Sequence, residues 1–329
     1  MTSRLFGRMG WAIALLAAAA IVPAAQAKTV TIASSAPNSG INKVFVDTLV
    51  SELGKRTPEL DTETFLDSQL GAERELIDLV RFGETTIHMG VIHSAQYYPE
   101  LDATLIPYLF QDYASVKRFL AGPYGQKMEA ALRQRGNAVT LGYYYLGARW
   151  TTTRGRAFRT VDELKGLKIR MPKIPSWIDI WSGLGATITP MPSKEVFSAM
   201  QAGVIDAQEN MLSNIWGRRI YEVSDYLVAT KHQQSYITVM INQDFWNDLS
   251  AEQQTAVQAS VDAASQAADN KAFEYNKKII ADIEASGVEL VEPDPSFRKD
   301  ALPVVKKVAD GILADGVWDA AVAAGQPQG

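Results

Sequence analysis

The sequence predicts an α/β fold in two interleaved units, and three observations carry that prediction. Its 329 residues suffice for about two domains, each able to bury a core. Strand-type and helix-type patterns alternate along most of the chain, which calls for a mostly parallel sheet flanked by helices. A polar-faced helical stretch from about Ala251 to Ala285 would run about 50 Å, more than the width of one small domain.

In chain order, Lys28–Ser34 alternates as a strand and enters the polar turn SAPNSGIN, after which a helix runs to about Leu53. Glu63–Leu66 reads as a strand, SQLGAERELIDLVRFGE as a turn and a helix ending near Gly83, and Ile87–Val91 as a third strand. Ala114–Arg135 is helical with a loop at Gly122-Pro123. The β-rich run Val139–Arg149 holds the first crossing between units. In the second unit Leu167 and Ile169 alternate with Lys168 and Arg170 until Pro172 stops the strand. A Trp-bearing helical segment follows at Ser176–Leu184. GATITPMPSKEVFSAMQAGVIDAQEN then gives a strand, a Pro-punctuated turn, a helix and a strand ending near Asn210. Tyr236–Asn242 returns to the first unit's sheet. Beyond the long helix come a strand at Val288–Val291 and a helix from about Pro295 to Val322.

Composition narrows the function. A net charge of −5 and a pI near 5.4 leave no basic footprint, so nucleic acid is not an expected partner. A small anionic ligand is still allowed, because a few local arginines outweigh the total. The absence of cysteine removes disulfide frameworks and thiolate metal sites. Arg4 and Arg8 form a positive n-region, Trp11–Val22 an apolar h-region, and Ala25-Gln26-Ala27 supplies the small residues a signal peptidase reads. Met9–Ala27 approaches the length of a membrane span, but Pro23 and the small-residue site favour cleavage. Residues 1–27 therefore read as a signal peptide, and the mature chain starts at Lys28.

LKGLKIR, GATITPMPSKEVFSAMQAGVIDAQEN and the later IYEVSDYLV, in this order and spacing, resemble the solute receptors of TRAP transporters, the DctP-type family. The resemblance covers nearly the whole mature chain. It implies a type II periplasmic-binding fold of two α/β lobes with a long helix spanning both. Lobe I would comprise 28–146 plus 236–270, lobe II 147–235 plus 271–300, and 301–329 a C-terminal helix and tail. It also implies a periplasmic receptor that captures a small organic acid and passes it to a membrane permease through a transient contact. No cofactor is implied, and no bond is made or broken.

Arg170 sits at a strand end, where α/β sheets present ligand-binding groups. Its planar guanidinium matches two carboxylate oxygens, although residue type alone allows an ordinary solvated arginine. In the family the arginine of this KIR motif makes a two-pronged salt bridge to the ligand carboxylate. Arg149, in GARWTTT, matches a second arginine that many members direct to the ligand, a surface ion pair being the alternative. Asn210, in DAQEN, matches the family's asparagine, whose amide both donates and accepts; Glu209 beside it reads as structural. Asn38 in SAPNSG and Glu73 in GAERE fall where members bring polar groups to the cleft. Glu73 either accepts from ligand hydroxyls or interacts with its helix dipole. Tyr97, Trp177, Trp181 and Trp216 are candidate apolar walls, with core packing as the alternative. Some relatives carry an aromatic where this chain has Ser193, and the small hydroxyl leaves room or adds a hydrogen bond.

No G-x-S-x-G, H-E-x-x-H, P-loop or G-x-G-x-x-G occurs, so no catalytic residue is expected. His88 and His93 lie in a strand-to-loop setting that does not preorganise a metal, and His232 reads as isolated, so no metal ligand is assigned. Asn38, Glu73, Ser193 and Asn210 offer more polar partners than an alkyl or aryl acid can use. The favoured ligand is therefore a hydroxylated monocarboxylate such as a uronate or sugar acid. The alternatives are a C4-dicarboxylate held by both arginines, a sensory receptor for a two-component kinase, and an exported hydrolase.

Overall fold

A computed structural model of the chain describes residues 28–91 and 93–326. The segment read as a signal peptide lies outside the described residues. The strands are β1 (Lys28–Ala33), β2 (Leu60–Phe65), β3 (Ile87–Gly90), β4 (Ala138–Thr153), β5 (Lys168–Met171), β6 (Thr187–Pro190), β7 (Ala207–Met211), β8 (Tyr226–Val228), β9 (Gln234–Asn242) and β10 (Glu289–Val291). They join in the order β2-β1-β3-β9-β4-β7-β5-β6, with β8 against β4 and β10 against β8.

Two sheets share one strand. The 16 residues of β4 pair with β9 over Ala138–Ala148 and with β7 and β8 over Arg149–Thr153. The first half belongs to the first lobe's sheet and the second half to the second lobe's. Within each lobe the helix-linked strands β1/β2, β1/β3, β5/β6 and β5/β7 run parallel, as crossover connections require. β4 and β9 run antiparallel to each other, and each is antiparallel to a further neighbour, β7 and β3 respectively. The sheet is thus mixed rather than mostly parallel, because β4 carries the chain out of the first lobe and β9 carries it back.

The register of β4 against β9 shifts between Tyr145 and Gly147, at the point of exit. Gly147 takes φ +104, and a Cβ there would stand 2.3 Å from Asn276 Nδ2. Asn276 Nδ2 donates to Leu146 O (3.0 Å), and Asp269 accepts from Tyr145 N–H (2.7 Å). Both side chains come from the helix Ala251–Ala285, which therefore clamps the crossing strand. This helix has the predicted extent of 35 residues. It begins with a capping box in which Ser250 Oγ accepts from Gln253 N–H and Gln253 Oε1 accepts from Ser250 N–H. Val257, Val261, Ala264, Ala268 and Ala272 pack into the first lobe's core with Val30, Ile32 and Phe45. Ile279 and Ile283 pack with Ile205 and Leu227 in the second lobe. Each fully buried Val or Ile contributes about 1.5–3 kcal/mol, so one helix is anchored in both lobes.

The helix expected over Pro295–Val322 is two, Phe297–Asp310 and Val317–Ala324. Gly311 ends the first, and Gly316, at φ +79, starts the second in a conformation that favours glycine. The break lets the first pack on the second-lobe helix Pro175–Gly183 and the second on the first-lobe helix Tyr113–Ala121. No helix among the described residues is long and apolar enough to cross a membrane.

Candidate ligand-binding site

A cavity of about 690 Å³ lies between the lobes. It opens where β1, β3, β5, β6 and β7 reach their carboxyl ends, the usual place for ligands in α/β sheets. The first lobe lines it with Ser34–Ala36, Ser68, Ala72–Glu75 and Met89–Val91. The second lobe supplies Arg149, Arg170, Trp177, Met191–Lys194, Asn210, Asn214 and Arg218.

The second-lobe wall is made largely of donors. Arg170 follows the apolar Ile169 in β5 and is buried rather than solvated, at 3% exposure. Its Nε (2.8 Å) and Nη2 (2.6 Å) donate to the carbonyl of Met191, which fixes the plane of the guanidinium. Burial lowers its pKa to about 10, helped by Arg149 and Arg218 and opposed by Glu209 and Glu195. It stays charged at neutral pH. Among the described residues no carboxylate pairs with it.

Arg149 is also buried, but its charge is matched. Nη2 lies 2.8 Å from Glu209 Oε1, Nε donates to Oε2, and the guanidinium stacks over the Trp177 ring at 4.7 Å. His232 Nε2 donates to the same Oε2 at 3.0 Å, and its Nδ1 meets Thr230 Oγ1 at 2.9 Å. Burial lowers the His232 pKa despite the neighbouring carboxylate, so the ring is held neutral. Asn210 Oδ1 accepts from Met211 N–H and from Asn214 Nδ2, both at 3.1 Å, while its own Nδ2 has no partner among the described residues. The Ser193 hydroxyl is buried without a partner among them. Trp177 donates through Nε1 to Leu105 O, joining the second lobe to the first beside the cavity.

Acceptors characterise the first-lobe wall. Glu73, the first residue of helix Glu73–Arg81, accepts from Val91 N–H through Oε1 and from Ser35 Oγ through Oε2 (3.3 Å). Behind it His88 donates from Nδ1 to Ala33 O (3.2 Å), leaving Nε2 as a buried acceptor without a partner among the described residues. Gly90 makes this arrangement possible. A Cβ there would stand 2.3 Å from His88 Nε2 and 2.6 Å from Glu73 Oε1. No group of three His, Asp or Glu that could hold a metal occurs among the described residues.

A family model described as bacterial extracellular solute-binding protein, family 7 (DctP), matches residues 35–314. The chain belongs to this family. A solute-binding protein of Verminephrobacter eiseniae is 34% identical over 276 residues, covering 82% of this chain and 81% of its own. The 2,3-diketo-L-gulonate-binding periplasmic protein YiaO of Escherichia coli is 33% identical over 246 residues, 74% and 75% of the two chains. Among solved structures, a TRAP periplasmic solute-binding protein of Shewanella oneidensis with bound succinate aligns with a TM-score of 0.85 at 24% identity. It covers 91% of this chain and 99% of its own. One from Roseobacter denitrificans with bound L-galactonate gives 0.84 at 24% identity, with 92% and 99% covered. The fold is thus the two-lobed type II periplasmic-binding architecture. The protein is a periplasmic, non-catalytic solute receptor of a TRAP transporter.

Within this DctP-family chain the structure brings Arg170, Arg149, Asn210, Glu73, Ser193 and Trp177 to one cavity. Two candidates do not join them. Asn38 is exposed and stands outside the lining, because the turn after β1 presents Ser34–Ala36 instead. Trp216 lies on the opposite side of helix Leu212–Gly217 from Asn214 and stacks on Tyr221 at 4.7 Å. Tyr97 and Trp181 are core residues, Trp181 packing edge-on to His232 at 5.2 Å. His232 is not isolated but bonded to Glu209. Arg218, which sequence reading passed over, lines the cavity four residues after Asn214, a spacing that puts both on one helix face.

Proposed function

We propose that this receptor binds a hydroxylated monocarboxylate the size of a uronate or sugar acid and delivers it to the membrane permease of its transporter. One observation carries the reading. Of the two buried arginines in the cavity wall, Arg149 is already neutralised by Glu209, and Arg170 has no carboxylate partner among the described residues. One anionic group thus finds one uncompensated buried guanidinium, and Arg170 clamps it with parallel donors. Arg149 assists from behind as a fixed charge. Asn210 Nδ2 and Ser193 Oγ orient the rest of the ligand, and Glu73 accepts hydrogen bonds from ligand hydroxyls on the first-lobe side. Trp177 supplies an apolar wall.

A C4-dicarboxylate fits these groups less well. Its second carboxylate would find Arg149 occupied and would meet the Glu73 carboxylate across the cavity, and like charges held close repel. Each polar group left unpaired by a ligand without hydroxyls would cost about 1–3 kcal/mol. Of the two solved relatives above, one holds L-galactonate and the other succinate; further relatives hold β-D-galacturonate and D-glucuronate. A cavity of about 690 Å³ accommodates such acids. Lobe closure follows because only the closed arrangement touches the ligand from both sides.

A thermal-shift panel of D-galacturonate, D-glucuronate, L-galactonate and succinate tests the reading. A ligand at a thousandfold excess over its dissociation constant stabilises the fold by about 4 kcal/mol. Stabilisation by a hydroxylated acid with a weaker response to succinate is expected. A response confined to succinate would reverse the assignment.

A further inference from the structure

Arg218 reaches from the second lobe to two places on the first. It follows helix Leu212–Gly217, and its Nη2 donates to the backbone carbonyl of Ser35 at 2.8 Å and lies 3.3 Å from Asp67 Oδ1. Ser35 belongs to the turn after β1 and Asp67 to the turn after β2. Asp67 and its neighbour Ser68 both take left-handed backbone, at φ +53 and +62, so the carboxylate is presented from a tight, constrained turn. The contact is close along the backbone as well. A Cβ on Gly217 would come within 3.0 Å of Ser39 Oγ and 3.1 Å of Pro37.

This is not the arrangement of a surface ion pair. Only 14% of the Arg218 side chain is exposed, and its Nε is buried without a partner among the described residues. Burying a guanidinium with one donor unpaired is unfavourable, and a solvent-facing rotamer would avoid it. Arg170 provides the contrast, because both of its bonds end on Met191, in its own lobe.

We propose that Arg218 is an interlobe positioning residue. It holds the second-lobe wall of the cavity against the β1 and β2 turns and so sets how far the cleft stands open. The backbone bond to Ser35 fixes position, and the charge on Asp67 adds attraction that is partly screened by solvent. Because Ser35 itself lines the cavity and Asp67 precedes the lining residue Ser68, a change in the Arg218 contact alters the distance between the donor wall and Glu73.

The chain has no cysteine, so two introduced thiols can carry spin labels without background. Lys55→Cys in the first lobe and Val204→Cys in the second lie at exposed positions. In the ligand-free protein, Arg218→Met should move the interlobe distance distribution to longer values and broaden it. Asp67→Asn should shift it less in the same direction, because the Ser35 bond remains. Arg156→Met, which removes an exposed second-lobe arginine whose bonds end on Glu163 and Lys165 of its own lobe, should leave it at the wild-type distribution. Loss of stability without a role in lobe position would lower the melting temperature and leave the distances unchanged. An Arg218→Met distribution superposable on wild type, or an equal shift in Arg156→Met, would overturn the proposal. No ligand is added, so this outcome is separate from the identity of the acid.

Discussion

Arg149 and Glu209 form a closed buried pair, with Nη2 2.8 Å from Oε1 and a second bond from Nε to Oε2. The pair lies on β4 and β7, the antiparallel junction where the first lobe's long strand enters the second sheet. One guanidinium is thereby committed to the scaffold, and Arg170, two strands away in the order β4-β7-β5, is the buried one without a carboxylate partner among the described residues.

Replacing Arg170 should therefore remove binding without removing the fold. Arg170→Ala is expected to weaken ligand binding by about 2–5 kcal/mol, the cost of truncating one partner of a buried charge pair. Arg170→Lys should recover only part of this, since an ammonium cannot reproduce the parallel donors. Calorimetry with whichever acid stabilises the wild type reads both. Unchanged affinity in Arg170→Ala would mean that the carboxylate is anchored elsewhere.

Glu209 should behave in the opposite way. Glu209→Ala leaves the buried Arg149 charge uncompensated and is expected to cost about 3–5 kcal/mol of stability, measured by urea denaturation. The pH dependence has a definite sign. Burial alone would raise the carboxyl pKa, but the charge of Arg149 and hydrogen bonds from His232 and Arg149 hold it at about 2, against an ordinary 4.5. A folded-state pKa below the unfolded one gives stability that is fully present above pH 4.5 and lost as pH falls towards 2. The loss is about 3 kcal/mol. An acid limb in that window that survives Glu209→Gln would assign it to another group.

The frame was legible in the sequence because its signals are local. The long helix announces itself by length and its polar face, and the strand around Arg170 by alternation up to Pro172. What could not be read was pairing across distance. The partners of Glu209 come from β4 and from the segment before β9, 60 and 23 residues away, so no local spacing marks the triad with His232. Asn38 illustrates the converse. Its turn was found correctly, but which residue of a polar turn faces inward depends on backbone geometry that composition does not carry. Arg218 was hidden because it reads as an ordinary charge at a helix end.

His88 gives a second acid-sensitive window. Burial lowers its pKa to about 4 from 6.5, only partly opposed by the Ala33 carbonyl that Nδ1 contacts. Above pH 6.5 the ring is neutral whether the chain is folded or not, and it adds no pH dependence. Between 6.5 and 4 the unfolded chain takes up the proton and the folded one does not, so stability falls by about 3 kcal/mol and then levels off. His88→Asn should flatten the stability profile between pH 6.5 and 4 while leaving the Glu209 limb in place. The slopes are the test, because the substitution also changes packing. Equal slopes in the variant and the wild type would show that His88 does not titrate in this window.

Gly90 connects that histidine to the binding cavity. Its φ is not positive, so the position itself accepts an L side chain, and Gly→Ala within a strand ordinarily stabilises by about 0.5–1 kcal/mol. Here the new methyl would stand 2.3 Å from His88 Nε2 and 2.6 Å from Glu73 Oε1. Both must move, and neither moves freely: Glu73 accepts from Val91 N–H, and His88 is buried among β-strands. Gly90→Ala should therefore destabilise by about 1–3 kcal/mol, the usual cost of overpacking. It should also weaken binding of a hydroxylated acid, since Glu73, the acceptor proposed for the ligand hydroxyls, is displaced. Thermal denaturation and calorimetry on the same variant separate the two effects. A gain in stability with unchanged affinity would mean that Glu73 can swing aside without consequence, and its part in recognising the ligand would have to be withdrawn.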